Sequence, residues 1–163
     1  LGKRRRLQLV VDPIMISSSG TPLLKSSAVT ALAKRLLPLA NLLTPNLDEA
    51  ATLTKQPVRE PEDMRDAARM IHERFGCAVL VKGGHMKTTE AIDFFFDGKE
   101  EFLLSAPRSK RLSPPGTGCT YSAAITAFLA KGETLARAAE LGKKHMVQSF
   151  EDAYRVGKQT FLG

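Results

Sequence analysis

Gly116-Thr117-Gly118-Cys119 is the segment of this 163-residue chain whose residue types point most directly to chemistry. Glycines let a backbone approach a phosphate closely. The residues that follow read as a long helix running to about Lys131, with Gly132 ending it. A helix start supplies free N–H groups and a positive dipole end, so the segment can form an anion site where charge builds up during phosphoryl transfer. It lacks the Lys-Ser/Thr pair of a Walker A loop and the third glycine of a dinucleotide fingerprint. A glycine-rich helix start with no ligand therefore fits it too. Cys119 falls in the first helical turn, where the positive end favours a thiolate that can take a proton from an attacking hydroxyl. A small residue packing that turn is the other reading.

Further polar residues sit just after apolar runs. Asp12 closes the run LQLVV (7–11) and can hold Mg²⁺ directly or through water; an Asp-Pro turn is the alternative. Glu49 follows Asn46 by three residues, so the two share a helical face. That spacing suits a hydrated metal, and it equally suits a capping box with Asn46 as N-cap. Lys82 ends the run AVLV (78–81) and enters Gly83-Gly84-His85, where it can neutralise phosphate as a point charge. His85 can donate to a phosphate or be a plain loop residue. His72 and His145 fall on helices and read as surface or boundary residues.

The elements that position these residues alternate. Apolar runs at 7–11, 41–44 and 78–81 are separated by helical patterns at 29–36, 48–53 and 64–75, with Pro38 and Gly76 as stop signals. Runs 92–96 and 101–104 flank Asp97-Gly98 and predict a hairpin. Leu135, Ala138, Ala139, Gly142 and Met146 mark another helix, and a last helical segment is expected through Ala153. This is an α/β domain with a mainly parallel sheet covered on both faces. In such sheets ligands gather at the carboxyl ends of the strands, where Asp12, Thr44-Pro45-Asn46 and Lys82-Gly83-Gly84-His85 should converge.

Composition sets the outer bounds. Hydrophobic residues make up 43% and charged residues 25%, a globular balance for one domain. The net charge of +7 gathers at Lys3-Arg4-Arg5-Arg6 and at Arg108-Ser109-Lys110-Arg111. Such clusters attract phosphorylated partners or simply coat a surface. No zinc-finger, helix-turn-helix or aromatic RNA-binding pattern accompanies them, so nucleic acid is not an expected partner. Two distant cysteines, Cys77 and Cys119, suit a reducing, cytoplasmic compartment. No apolar run approaches the ~20 residues needed to span a bilayer, and no membrane role is expected. The chain opens on Leu1 and reaches a buried-type strand by Leu7, which suggests a segment further upstream.

Four segments in this order resemble one family: VVDPIM (10–15), LLTPNLDEA (42–50), VLVKGGH (79–85) and GTGCTYSAAI (116–125). From about Leu7 to about Met146 the chain is similar to the C-terminal part of hydroxymethylpyrimidine/phosphomethylpyrimidine kinases, within the ribokinase-like superfamily. The resemblance implies a three-layer α/β/α fold, ATP and Mg²⁺, and phosphorylation of 4-amino-5-hydroxymethyl-2-methylpyrimidine and then of its monophosphate. It implies an anion hole at Gly116, Thr117 and Gly118, with Cys119 as the base. It implies metal-and-phosphate carboxylates at Asp12 and Glu49 with Asn46 beside them, and nucleotide contacts from Thr44, Lys82, Gly83 and His85. Cys119 favours this branch over sugar and classical pyridoxal kinases, which resemble it but often carry Asp there. Pro114 and Pro115 replace a common Thr-His, and Ser18 stands where lysine or threonine is frequent, which leaves pyridoxine-type substrates open. Family members also have a preceding part that carries the opening strands and most of the pyrimidine pocket. Residues 1–163 are therefore expected to be the nucleotide-binding part of one kinase domain. They should be inactive alone and associate with a preceding segment or a second copy. A non-catalytic nucleotide-binding remnant is the competing reading from another class.

Overall fold

The computed structural model describes residues 7–17, 20–84, 86, 89–108, 114, 116–157 and 159–163. His85, Ser18, Pro115, the basic cluster 3–6 and residues 109–111 of the second cluster fall outside them. Five strands form the central sheet in the order β1 (Val10–Val11), β2 (Leu42–Leu43), β3 (Ala78–Lys82), β4 (Glu90–Phe96) and β5 (Glu101–Pro107). β1, β2 and β3 pair in parallel, and β4 pairs antiparallel with both β3 and β5. Four of the five strands therefore point the same way, with β4 reversed.

Alternation of side chains along the strands divides the core into two layers. Leu43, Val79, Val81 and Phe94 pack with Ala50 and Leu53 of α2 (Leu47–Thr54) and with Met64, Ala68 and Ile71 of α3 (Pro61–Phe75). Leu42, Ala78, Leu80 and Phe95 face the other way. They meet Ile125 and Leu129 of α4 (Thr117–Ala130) and Ala138, Ala139 and Met146 of α5 (Leu135–Glu151). The result is the expected three-layer α/β/α arrangement. α1 (Ser26–Arg35) packs against the first of these layers through Val29, Leu32 and Ala33, which stay only partly buried.

Two details depart from the sequence expectation. The first strand does not begin at Leu7, which is 96% exposed; pairing starts where Leu9 meets Asn41 through Leu9 N–H to Asn41 Oδ1 at 2.8 Å and Asn41 N–H to Leu9 O at 2.8 Å. Among the described residues β1 has β2 alone as neighbour, which leaves its other edge open. No further helix runs through Ala153: α5 continues to Glu151, and β6 (Tyr154–Val156) and β7 (Gln159–Phe161) follow as a hairpin with Tyr154 stacked on Phe161. The β4–β5 hairpin does turn at Asp97-Gly98, through a four-residue connection. There Asp97 Oδ1 accepts the amides of Lys99 and Glu100 at 2.9 and 2.8 Å. Among the described residues no helix is long and apolar enough to cross a membrane.

Candidate functional site

The ends of β1, β2 and β3 point toward the start of α4, and the post-strand residues meet there. Lys82 is the hub. Its amide donates to Pro45 O at 2.8 Å, which keeps it in the sheet beside the β2 exit. Its ammonium donates to Asp12 Oδ1 at 2.9 Å, with both side chains largely buried. It also reaches the first turn of α4: a Cβ built on Gly118 would lie 3.1 Å from Lys82 Nζ. Glycine is needed at 118 for that approach. Gly116 is needed for a different reason, because as N-cap it takes φ of +88°, a conformation other residues resist.

Gly116 accepts the first helical bond of α4 from Thr120 N–H at 2.8 Å. The amides of Thr117, Gly118 and Cys119 precede that ladder and have no partner within the helix. A lysine ammonium thus stands against the positive end of a helix, paired with the Asp12 carboxylate and with Glu49 nearby. That arrangement favours an anion at the helix start. Cys119 is exposed and borders the same space.

Asn46 and Glu49 form a reciprocal capping box at the start of α2. Asn46 Oδ1 accepts Glu49 N–H at 2.8 Å, and Glu49 Oε2 accepts Asn46 N–H at 2.8 Å. Glu49 Oε1 also accepts Met15 N–H at 3.1 Å, tying the segment after β1 to α2. Burial pushes the Glu49 carboxyl above its ordinary range; the Asn46 amide, nearby Lys82 and the Met15 amide draw it back, and Asp12 pushes it further up. The capping reading is therefore realised, and the carboxylate still borders the cavity.

A cavity of about 640 Å³ joins these parts. Asp12, Asn46, Glu49, Lys82, Gly116, Thr117, Gly118 and Cys119 line its polar end, and Met146, Val147 and Phe150 of α5 line an apolar end. Such a volume and mixture suit a small organic phosphate. Two expected contacts are corrected. Thr44 is fully buried beneath the floor, sharing a 2.9 Å hydrogen bond with Ser122 Oγ, whose own hydroxyl faces Gly118 O at 3.1 Å. Gly83 is pressed against β4, and its amide donates to Asp93 Oδ1 at 3.0 Å. Both support the wall from behind because α4 and β4 pack over them. His85 lies outside the described residues. Among the described residues no cluster of three or more His, Cys, Asp or Glu side chains forms a metal cage.

Sequence reasoning missed three polar cavity residues, Asp93, Lys143 and Tyr121, while Arg108, which lines the cavity with them, entered it only as part of a basic cluster. Asp93, almost fully buried on β4, pairs with Lys143 Nζ of α5 at 2.7 Å. Tyr121 Oη is buried beside Asp93 and, among the described residues, has no partner at hydrogen-bond geometry; burial first, and then that carboxylate, push its phenol well above the ordinary value. Arg108 holds Gly84 O and Met86 O at 2.7 and 2.5 Å. One signal was available: an aspartate inside the apolar run 92–96 needs a buried partner.

The family model for phosphomethylpyrimidine kinase matches residues 1–162. A hydroxymethylpyrimidine/phosphomethylpyrimidine kinase of Rhizobium meliloti is 46% identical over 148 residues, covering 90% of this chain and 56% of that protein. The thiamine biosynthesis bifunctional protein ThiED of Geobacter sulfurreducens is 38% identical over 97% of this chain and 32% of its own length. The chain thus spans about half or less of these curated relatives. Among solved structures, pyridoxal kinase from Staphylococcus aureus in complex with ADP superimposes with a TM-score of 0.87 at 28% identity, over 96% of this chain and 57% of that one. Phosphomethylpyrimidine kinase from Clostridium difficile does so with a TM-score of 0.75 at 36% identity, over 88% and 57%.

Proposed function

Because the chain belongs to the phosphomethylpyrimidine kinase family over residues 1–162, we propose that it carries the nucleotide-binding, phosphoryl-transferring part of an ATP-dependent kinase of thiamine biosynthesis. The substrates are hydroxymethylpyrimidine and then its monophosphate. The observation that carries this reading is the meeting of the Lys82 ammonium, the Asp12 carboxylate and the first turn of α4, Thr117, Gly118 and Cys119, at one end of the cavity. Phosphoryl transfer demands little covalent work from a protein and much positioning and charge stabilisation. Lys82 and the α4 amides hold the transferring phosphoryl oxygens. The substrate hydroxyl attacks the γ-phosphorus, the bond to the ADP oxygen breaks, and Cys119 takes the hydroxyl proton.

Mg²⁺ fits the residues present in one manner. Asp12 keeps one oxygen for Lys82, and each Glu49 oxygen already accepts a backbone amide. Two such carboxylates suit an ion that retains waters and completes its shell with nucleotide phosphates. The ion supplies charge neutralisation at the phosphates. The ADP and pyridoxal-kinase likeness favours a second substrate reading, a pyridoxal-type ring, through its higher TM-score. The pyrimidine reading stands ahead of it on the higher identity of the pyrimidine kinases and on Cys119. Ile14 and Leu23 border the cavity yet are 45% and 53% exposed. We take them as a wall completed by another segment or a second copy, and residues 1–163 alone as binding nucleotide without turning over the pyrimidine. The test is competition on active preparations of the protein. Hydroxymethylpyrimidine is expected to be phosphorylated in preference to pyridoxal, and preference for pyridoxal would replace the substrate assignment.

A further inference from the structure

The turn that follows β3 has an anchoring device distinct from the residues that face phosphate. Gly83 sits so close to β4 that a Cβ there would lie 2.1 Å from Ile92 O. Its amide, having left the strand ladder, is taken by Asp93 Oδ1 at 3.0 Å. The same carboxylate uses Oδ2 to meet Lys143 Nζ at 2.7 Å, and Lys143 also donates to Ala91 O at 2.7 Å. Asp93 is 4% and Lys143 11% exposed in their side chains. A carboxylate so buried needs a paired charge to remain in place. Lys143 provides it from α5, fifty residues away in sequence.

We propose that Asp93 and Lys143 are a positioning pair for the phosphate end of the cavity: Asp93 fixes the Gly83 amide, Lys143 neutralises Asp93, and the turn so held keeps Lys82 against the start of α4. Lys82 is the residue that immediately precedes Gly83 and is paired in register with Asp93 itself, so the constraint acts one bond away from the ammonium-bearing residue. The pair makes no contact with phosphate in this account. The inference rests on the nucleotide reading above only for its consequence for affinity.

Two neutral double variants test it. Asp93→Asn with Lys143→Met keeps an acceptor oxygen for Gly83, and Asp93→Leu with Lys143→Met removes it. Neither leaves a buried charge unpaired, so both should fold. Amide exchange measured by NMR is expected to be about tenfold faster at Gly83 in the second than in the first, the worth of one hydrogen bond. Exchange at Ala68 and Ile71 of α3 should be equal in both. ADP affinity by calorimetry should fall about tenfold between the two. Equal Gly83 exchange in the two variants overturns the proposal, as does a uniform change at all amides. The single Lys143→Met variant should exchange Gly83 faster than the wild type or fail to fold; wild-type behaviour would remove Lys143 from the pair. If the wild type binds no ADP, the nucleotide reading falls, while Gly83 exchange still decides whether the pair positions the turn.

Discussion

Replacing Gly118 by alanine should separate stability from phosphate binding. Gly118 is the second residue of α4 and has helical backbone angles, so alanine there gains up to about 1 kcal/mol of helix propensity. For a chain of this size that corresponds to a melting temperature unchanged or raised by about 2–4 °C. The new methyl, however, would stand 3.1 Å from Lys82 Nζ, and ordinary contact is about 3.5–4.0 Å. The ammonium must retreat by roughly half an ångström. At an effective dielectric of about 20, moving a unit charge from about 3.0 to about 3.5 Å from a phosphate loses about 0.8 kcal/mol, or about 1.6 for a dianion. ADP affinity should then fall about tenfold. Thermal melts and titration calorimetry on one sample read both quantities. Gly116→Ala makes the contrast: forcing alanine to φ near +88° should cost about 1–2 kcal/mol of stability. Unchanged ADP affinity in Gly118→Ala would refute the placement of Lys82 at the phosphate.

Glu49→Gln should destabilise the chain by about 1–3 kcal/mol, because one amide oxygen cannot serve both Met15 and Asn46. Its pH dependence carries a sign: a carboxyl raised in the folded state binds its proton there first, so wild type should gain on the variant as pH falls from neutrality toward the ordinary carboxyl value of 4.5. A melting-temperature difference that shrinks over that range would contradict the raised carboxyl. Cys119→Ala, assayed in a preparation that turns over the pyrimidine, should slow the first phosphorylation by about 10²- to 10⁴-fold. The second should suffer less, since a monoester with a second pKa near about 6 is already anionic; equal losses would make Cys119 a shaping residue of the anion hole. Iodoacetamide should label Cys119, which is exposed, and spare Cys77, whose burial pushes its thiol to about 11. Mass spectrometry should find the Cys119 adduct slowed by Mg·ADP, and labelling indifferent to nucleotide would place the nucleotide elsewhere.

Much of the architecture was legible because it rests on local pattern. The AVLV run faces two layers, the Asn46–Glu49 spacing forms its capping box, and Gly76 closes α3 in the left-handed conformation. Convergence of Asp12, Lys82 and Gly118 followed from the rule that strand ends meet in parallel sheets. What stayed hidden depends on which element lies over which. Thr44 looked like a site residue since nothing in its neighbourhood says that Ser122 of α4 will cover it. Asp93 and Lys143 find each other only once α5 lies against β4. The β6–β7 hairpin was missed because its three-residue strands, largely exposed, carry too little pattern to outweigh a helix running up to them.

The α4 start and Lys82 together form the nucleotide-phosphate site of this proposal. Titration of the folded chain with Mg·ADP, beside a folded Lys82→Met variant, tests it most directly. Saturable one-to-one binding at or below millimolar concentration is predicted for the wild type, weakened at least about tenfold in the variant. Equal affinities in both proteins, or no binding to a folded wild type at several times that concentration, would contradict it.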